Sequence, residues 1–158
     1  MSRMNLSRSE LLQMVGIMGR KNSTSVVLFH SAIAEKLGLN VTDYKCVDII
    51  IQRGSVTAGQ LAEITGLTTG SITAVLDRLE KAGFIKRVAD PRDRRKVLLE
   101  PIPERFTGGE VVFKDFLEAL DQLLSHYTDD ELATILDFVT ATTELYDEQA
   151  VKLRKKSS

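Results

Sequence analysis

Three guanidinium groups crowd one short polar stretch of this 158-residue chain: Arg92, Arg94 and Arg95, within Ala89-Asp90-Pro91-Arg92-Asp93-Arg94-Arg95. Arginine forks grip phosphate oxygens in pairs, and they are drawn into the narrow, electronegative minor grooves of A·T-rich duplexes. Asp90 and Asp93 in the same stretch are expected to order the loop and not to touch phosphate. A second group precedes it. Thr68-Thr69-Gly70-Ser71 supplies hydroxyls and open backbone amides, with Gly70 allowing a close approach. Thr73 and Ala74 add a hydroxyl and methyls suited to a thymine methyl. Arg78 follows where a groove wall would bring a phosphate. Together these residues suit the surface of duplex DNA.

Bond-making chemistry is missing. His30 and His126 lie far apart, without a Cys or His-x-x-His partner, and Cys46 is the single cysteine. A dedicated metal site needs more soft ligands than that. No Gly-x-Ser-x-Gly, Walker or His-Glu-x-x-His pattern occurs, and no nucleophile is paired with a base. The expectation is a protein that is no enzyme and holds neither metal nor cofactor. Cys46, four residues before Ile50 on an apolar spacing, reads as a buried structural thiol rather than an oxidant sensor.

The elements that position these groups follow from periodicity and capping. Ser7-Arg8-Ser9-Glu10 is a capping box, and apolar residues recur from Leu11 to Leu37 until Gly38; Asn22-Ser23-Thr24-Ser25 leaves open one long helix or two. Thr42 is the expected cap of a second helix that Gly54 closes. Thr57-Ala58-Gly59-Gln60 opens a short helix ending at Gly66. Thr68 starts the next, with Ile72, Val75, Leu76 and Leu79 on one face, and Gly83 ends it. Residues 84–88 and 96–100 read as two strands of a hairpin around the arginine loop. Helices carrying Val112 to Leu124 and Leu132 to Leu153 follow, the latter opened by the box Thr128-Asp129-Asp130-Glu131.

Two short helices about a tight turn, then a hairpin, suit a helix-turn-helix whose second helix enters the major groove N-terminus first. Net charge is −1, yet residues 53–100 carry nine Lys/Arg against six Asp/Glu, and residues 103–150 two against twelve. Phosphate contact needs only local cations, so the middle is suited to DNA and the last third is not. The apolar runs fall well short of a membrane span, the first residues show no signal core, and a lone cysteine fits a reducing setting. A cytoplasmic protein without membrane contact is expected.

The segments Leu61-Ala62-Glu63, Gly66-Leu67, Thr69-Gly70-Ser71-Ile72-Thr73, Leu76 to Ile85 and Asp90-Pro91-Arg92-Asp93-Arg94-Arg95 strongly resemble the MarR family, over about residues 54–100. The resemblance implies a mainly α fold with a small β-hairpin wing. A winged helix-turn-helix over residues 39–102 would be flanked by dimerisation helices over 5–38 and 103–155, in one domain of residues 1–158. It implies a homodimer on a pseudo-palindromic double-stranded operator, with Thr69, Ser71 and Thr73 on the major-groove face and wing arginines in the minor groove. It also implies that Asp77 pairs with a wing arginine, with Arg95 the expected partner. Glu100-Pro101-Ile102-Pro103 departs from the family's usual Leu-Thr and helix, so the approach to the dimerisation arm is expected to differ. Many relatives release DNA on binding small aromatic or lipophilic molecules; Phe29, Ile33, Phe113 and Phe116 are the candidate lining residues, although core packing explains their spacing equally. The function expected is a sequence-specific repressor. The alternative is a winged-helix module that docks a partner protein, for which three arginines at the loop tip have no use.

Overall fold

The computed structural model describes residues 6–156, without the side chains of residues 107–113 and 155–156. Ser7 opens the first helix, α1 (Arg8–Lys36), by accepting the Glu10 amide, while the Glu10 carboxylate accepts the Ser7 amide at 2.8 Å. The helix runs unbroken for 29 residues, so the Asn22–Ser25 patch does not divide it. Thr24 takes up its own hydroxyl by donating to the Arg20 carbonyl. The chain turns at Gly38, whose φ of 70° suits a residue without Cβ.

Helix α2 (Val41–Arg53) is capped by Asn40, which accepts the Asp43 amide at 2.8 Å. This corrects the expected cap, Thr42: an extended residue three before Asp43 satisfies its amide, and Thr42 already lies inside the helix. A two-residue strand, β1 (Val56–Thr57), leads into α3 (Ala58–Thr65) through the Thr57–Gln60 capping box. Gly66 ends α3 in the left-handed region. Thr68 then caps α4 (Thr69–Lys81) by accepting the Ser71 amide. Strands β2 (Ile85–Ala89) and β3 (Val97–Pro101) form the hairpin, and β3 also pairs with β1, giving the antiparallel order β1-β3-β2. Leu99 sits opposite both Val56 and Arg87. The third strand adds to the expected hairpin; its two residues carry no alternation for a sequence reading to find.

The core of this unit is where the helices and sheet meet. Val47 and Ile50 of α2, Leu61 of α3, Ile72 and Leu79 of α4, Ile85 of β2 and Leu99 of β3 are fully buried, each removing apolar area worth roughly 1.5–3 kcal/mol. After Pro101 a 3-10 turn, Pro103–Phe106, folds back onto the wing: Ile102 donates its amide to the Phe84 carbonyl, and Phe106 packs on Phe84 with centroids 5.5 Å apart. Arg105 lies over the same ring. This is the local form that the Glu100–Pro103 departure takes.

The chain divides into two compact units, Met1–Val112 and Phe113–Ser158. The second holds most of α5 (Thr107–Leu124), within which Gly108 and Gly109 fall, and all of α6 (Asp129–Lys156). Thr128 and Glu131 make the third capping box. The architecture is mainly α with a small antiparallel sheet, as expected.

Candidate nucleic-acid interface

Helix α4 buries Ile72, Val75, Leu76 and Leu79 and leaves its opposite side open. On that side Thr69, Gly70, Ser71, Thr73, Ala74, Asp77 and Arg78 are all exposed. Helical spacing sorts them into two stripes, Ser71–Ala74–Arg78 and Gly70–Thr73–Asp77. The first turn is well ordered by its own hydroxyls. Thr68 Oγ1 and Ser71 Oγ share a hydrogen bond of 2.8 Å, and Thr73 Oγ1 donates to the Thr69 carbonyl at 3.0 Å. The Thr73 proton is therefore used within the helix, and its oxygen remains as an acceptor. A Cβ added at Gly70 would meet nothing within 4 Å, and the backbone there is ordinary helix, so nothing in the chain itself requires glycine at this position.

The hairpin brings Arg92, Arg94 and Arg95 together on one loop, with Arg92, Arg94 and Arg95 all open along it. Asp90 accepts the Arg92 amide at 2.8 Å, and Asp93 accepts the Arg95 amide at 3.2 Å, so both aspartates brace the backbone that carries the arginines. The Asp90 amide and the Lys96 carbonyl close the base of the loop.

Two pairings differ from those expected. Asp77 is held by Arg87 of β2, not by Arg95: Arg87 donates to Asp77 at 2.8 Å and also to Glu80. Arg95 pairs with its loop neighbour Asp93, and its side chain is 91% exposed. The reason is the path of the chain. Strand β2 leaves α4 directly through Gly83, which brings Arg87 alongside Asp77, whereas Arg95 belongs to the far end of the hairpin. Arg78, expected beside a phosphate of the groove wall, is also forked onto Asp43 of α2, with Nε and Nη2 donating at 2.8 and 2.7 Å. These hydrogen bonds push the Arg78 and Arg87 guanidinium pKa values further above the ordinary arginine range. The sequence does not point to Asp43, since a partner 35 residues away leaves no local signal.

The remaining candidates fall in both units. Ile33 is buried in the first unit and Phe29 is half-buried there, its ring 6.0 Å from His30; Phe116 belongs to the second unit and is exposed. The side chain of Phe113 lies outside the described residues. Cys46 is buried, and burial pushes its thiol up to about 11. Among the described residues no three His, Cys, Asp or Glu side chains converge on a metal position, and no helix is long and apolar enough to cross a membrane.

Residues 39–97 match the MarR family. The chain is 42% identical to the HTH-type transcriptional regulator YcgE of Bacillus subtilis, over 94% of this chain and 97% of that one. Among solved structures it resembles Streptococcus pneumoniae FabT in complex with DNA, with TM-score 0.65 and 18% identity over 87% of this chain and 98% of that one. It also resembles a cysteine-to-serine mutant of MarR from E. coli complexed with operator DNA, with TM-score 0.54 and 20% identity over 87% and 99%. At such identities the structures speak for the fold. The near full-length likeness to YcgE speaks for the family.

Proposed function

This chain belongs to the MarR family of winged helix-turn-helix transcriptional regulators, which are not enzymes, and on that premise we propose that it is a repressor reading a pseudo-palindromic operator as a homodimer. The observation that carries the reading is the open face of α4, from Thr68 to Ala74, on the same winged unit as a loop bearing three arginines. Thr69, Ser71 and Thr73 face base edges in the major groove, Gly70 lets the duplex approach the helix backbone, and Ala74 meets a thymine methyl. Thr73, with its proton already used, selects a base that donates, such as the amino group of adenine or cytosine. Arg92, Arg94 and Arg95 enter the adjacent minor groove or hold its phosphates, over a loop that Asp90 and Asp93 keep in shape.

Support for the homodimer is the apolar surface left on the terminal helices. Nine large apolar residues of α1, from Leu11 to Leu28, stand exposed, as do Leu136, Phe138, Val139, Leu145, Tyr146, Val151 and Leu153 of α6. A soluble monomer rarely tolerates so much, and a second copy covers it. Two reading heads must then meet major grooves about 34 Å apart, so a small aromatic or lipophilic effector that altered their spacing would release the operator. The setting is the cytoplasm, where the DNA lies and the lone thiol stays reduced.

The test is selection of bound fragments from a genomic or random duplex pool with the purified protein. Recovery of one enriched, two-fold symmetric sequence is expected. Recovery of no enriched duplex would overturn the proposal.

A further inference from the structure

Arg78 is the one cation on the open face of α4 between Thr69 and Leu79, and it does not stand free. Its Nε and Nη2 are fixed on Asp43, while Nη1 has no hydrogen bond among the described residues and the side chain is 53% exposed. Asp43 lies at the other extreme. Its side chain is 4% exposed, on the first turn of α2, and its own amide is held by Asn40. A buried carboxylate, clamped at its backbone, thus grips one edge of a guanidinium and leaves the other edge open.

Along α4, Arg78 is seven residues beyond Ser71 on the same stripe, which is roughly 10 Å along the axis at about 1.5 Å per residue. A helix that enters N-terminus first, with Ser71 at the base edges, carries Arg78 away from them toward the groove wall and its phosphates. A free arginine there would lose side-chain freedom on binding; one already forked in place loses less. The geometry points to Asp43 as a positioning residue that presents the open Nη1 edge of Arg78 to a phosphate of the groove wall, an inference resting on the DNA-reading function proposed above.

Charge alone argues the opposite, and this makes the claim testable. Asp43→Asn removes a negative charge close to the reading face, so simple electrostatics predicts tighter binding to any duplex. Positioning predicts weaker binding, by about tenfold, the scale of one charge-assisted hydrogen bond lost to a mobile side chain. The salt slope should stay unchanged, because Arg78 still neutralises its phosphate when it reaches it. Arg78→Gln should lower the slope by about 0.9, one phosphate contact fewer. Arg78→Lys, which keeps the charge but cannot fork, should bind about tenfold more weakly on an unchanged slope.

The experiment is a titration of full-length wild type and these variants against the selected operator and a mixed-sequence duplex over a range of salt, with thermal melts run beside it. Wild type that binds no duplex would overturn the DNA-reading function itself. Asp43→Asn that binds as well as wild type or better, or Arg78→Gln that leaves the slope unmoved, would overturn only the positioning role. If Asp43→Asn is unfolded at the assay temperature, Arg78→Lys decides, and wild-type affinity in that variant overturns the proposal.

Discussion

Arg87 on the first wing strand donates to Asp77 on the reading helix at 2.8 Å and, from its other nitrogen, to Glu80 one turn further on. One guanidinium therefore bridges the helix and the hairpin, beside the buried core to which Leu79 of α4 and the sheet's Ile85 and Leu99 belong. The three side chains are partly exposed, so the network adds only about 1 kcal/mol to stability. Arg87→Met should leave the melting temperature within a few degrees of wild type, yet weaken operator binding markedly, since helix and wing no longer meet two grooves as a rigid pair. Arg95→Ala should not move the melt at all. A variant at Arg87 with full operator affinity would remove the bracing role.

Gly70 yields a prediction with two opposite signs. The chain leaves open space where its Cβ would go, and glycine within a helix is less favourable than alanine by about 0.5–1 kcal/mol. Gly70→Ala should therefore stabilise the free protein. If the duplex comes against this backbone, the same methyl should weaken operator binding at least tenfold. Gain on both counts would show that DNA does not approach Gly70.

Cys46 and Tyr44 predict an alkaline weakness. Burial, with the Asp43 charge second, pushes the Cys46 thiol from 9 to about 11, and burial, with Asp48 second, pushes the Tyr44 phenol from 10 to about 12. Both groups hold their protons more tightly folded than unfolded, so this stability is fully present below about pH 9 and is lost as pH rises through about 11 and 12. Melts at increasing pH should fall from about pH 9 upward, and less steeply in Cys46→Ala. That variant should lose about 1–2 kcal/mol at neutral pH and keep DNA binding. The Tyr44 hydroxyl finds no partner among the described residues, so Tyr44→Phe should be neutral or stabilising by about 1 kcal/mol.

The exposed apolar residues of α1 and α6 predict a dimer at low micromolar concentration by sedimentation. Deletion from Thr128 onward should give insoluble or unfolded chain. A soluble, DNA-binding monomer from either experiment would contradict the assembly.

What the sequence makes legible depends on range. Ser7 with Glu10, Thr57 with Gln60, Thr68, and the glycines at 38, 54, 66 and 83 are local signals, since a cap or a positive φ acts within four residues. The buried face of α4 is equally plain from its spacing. Asp43 with Arg78 and Asp77 with Arg87 are not, because a charged residue's partner is chosen by the fold and the sequence shows only that both charges exist. Asn40 and Thr42 are both good caps, and only the backbone path decides between them.

Whether α4 reads bases while the wing arginines hold the duplex through its charge and shape comes down to one salt-dependent binding titration. Wild type, Arg94→Ala with Arg95→Ala, Ser71→Ala and Thr73→Ala are each measured against the selected operator and a scrambled duplex. The double wing variant should weaken both duplexes together and lower the salt slope by up to about 0.9 per arginine. Ser71→Ala and Thr73→Ala should each lose about 1–3 kcal/mol on the operator and almost nothing on the scrambled duplex. Equal binding of both duplexes by wild type and the double wing variant would refute this division of roles and turn attention to a winged helix that docks protein instead.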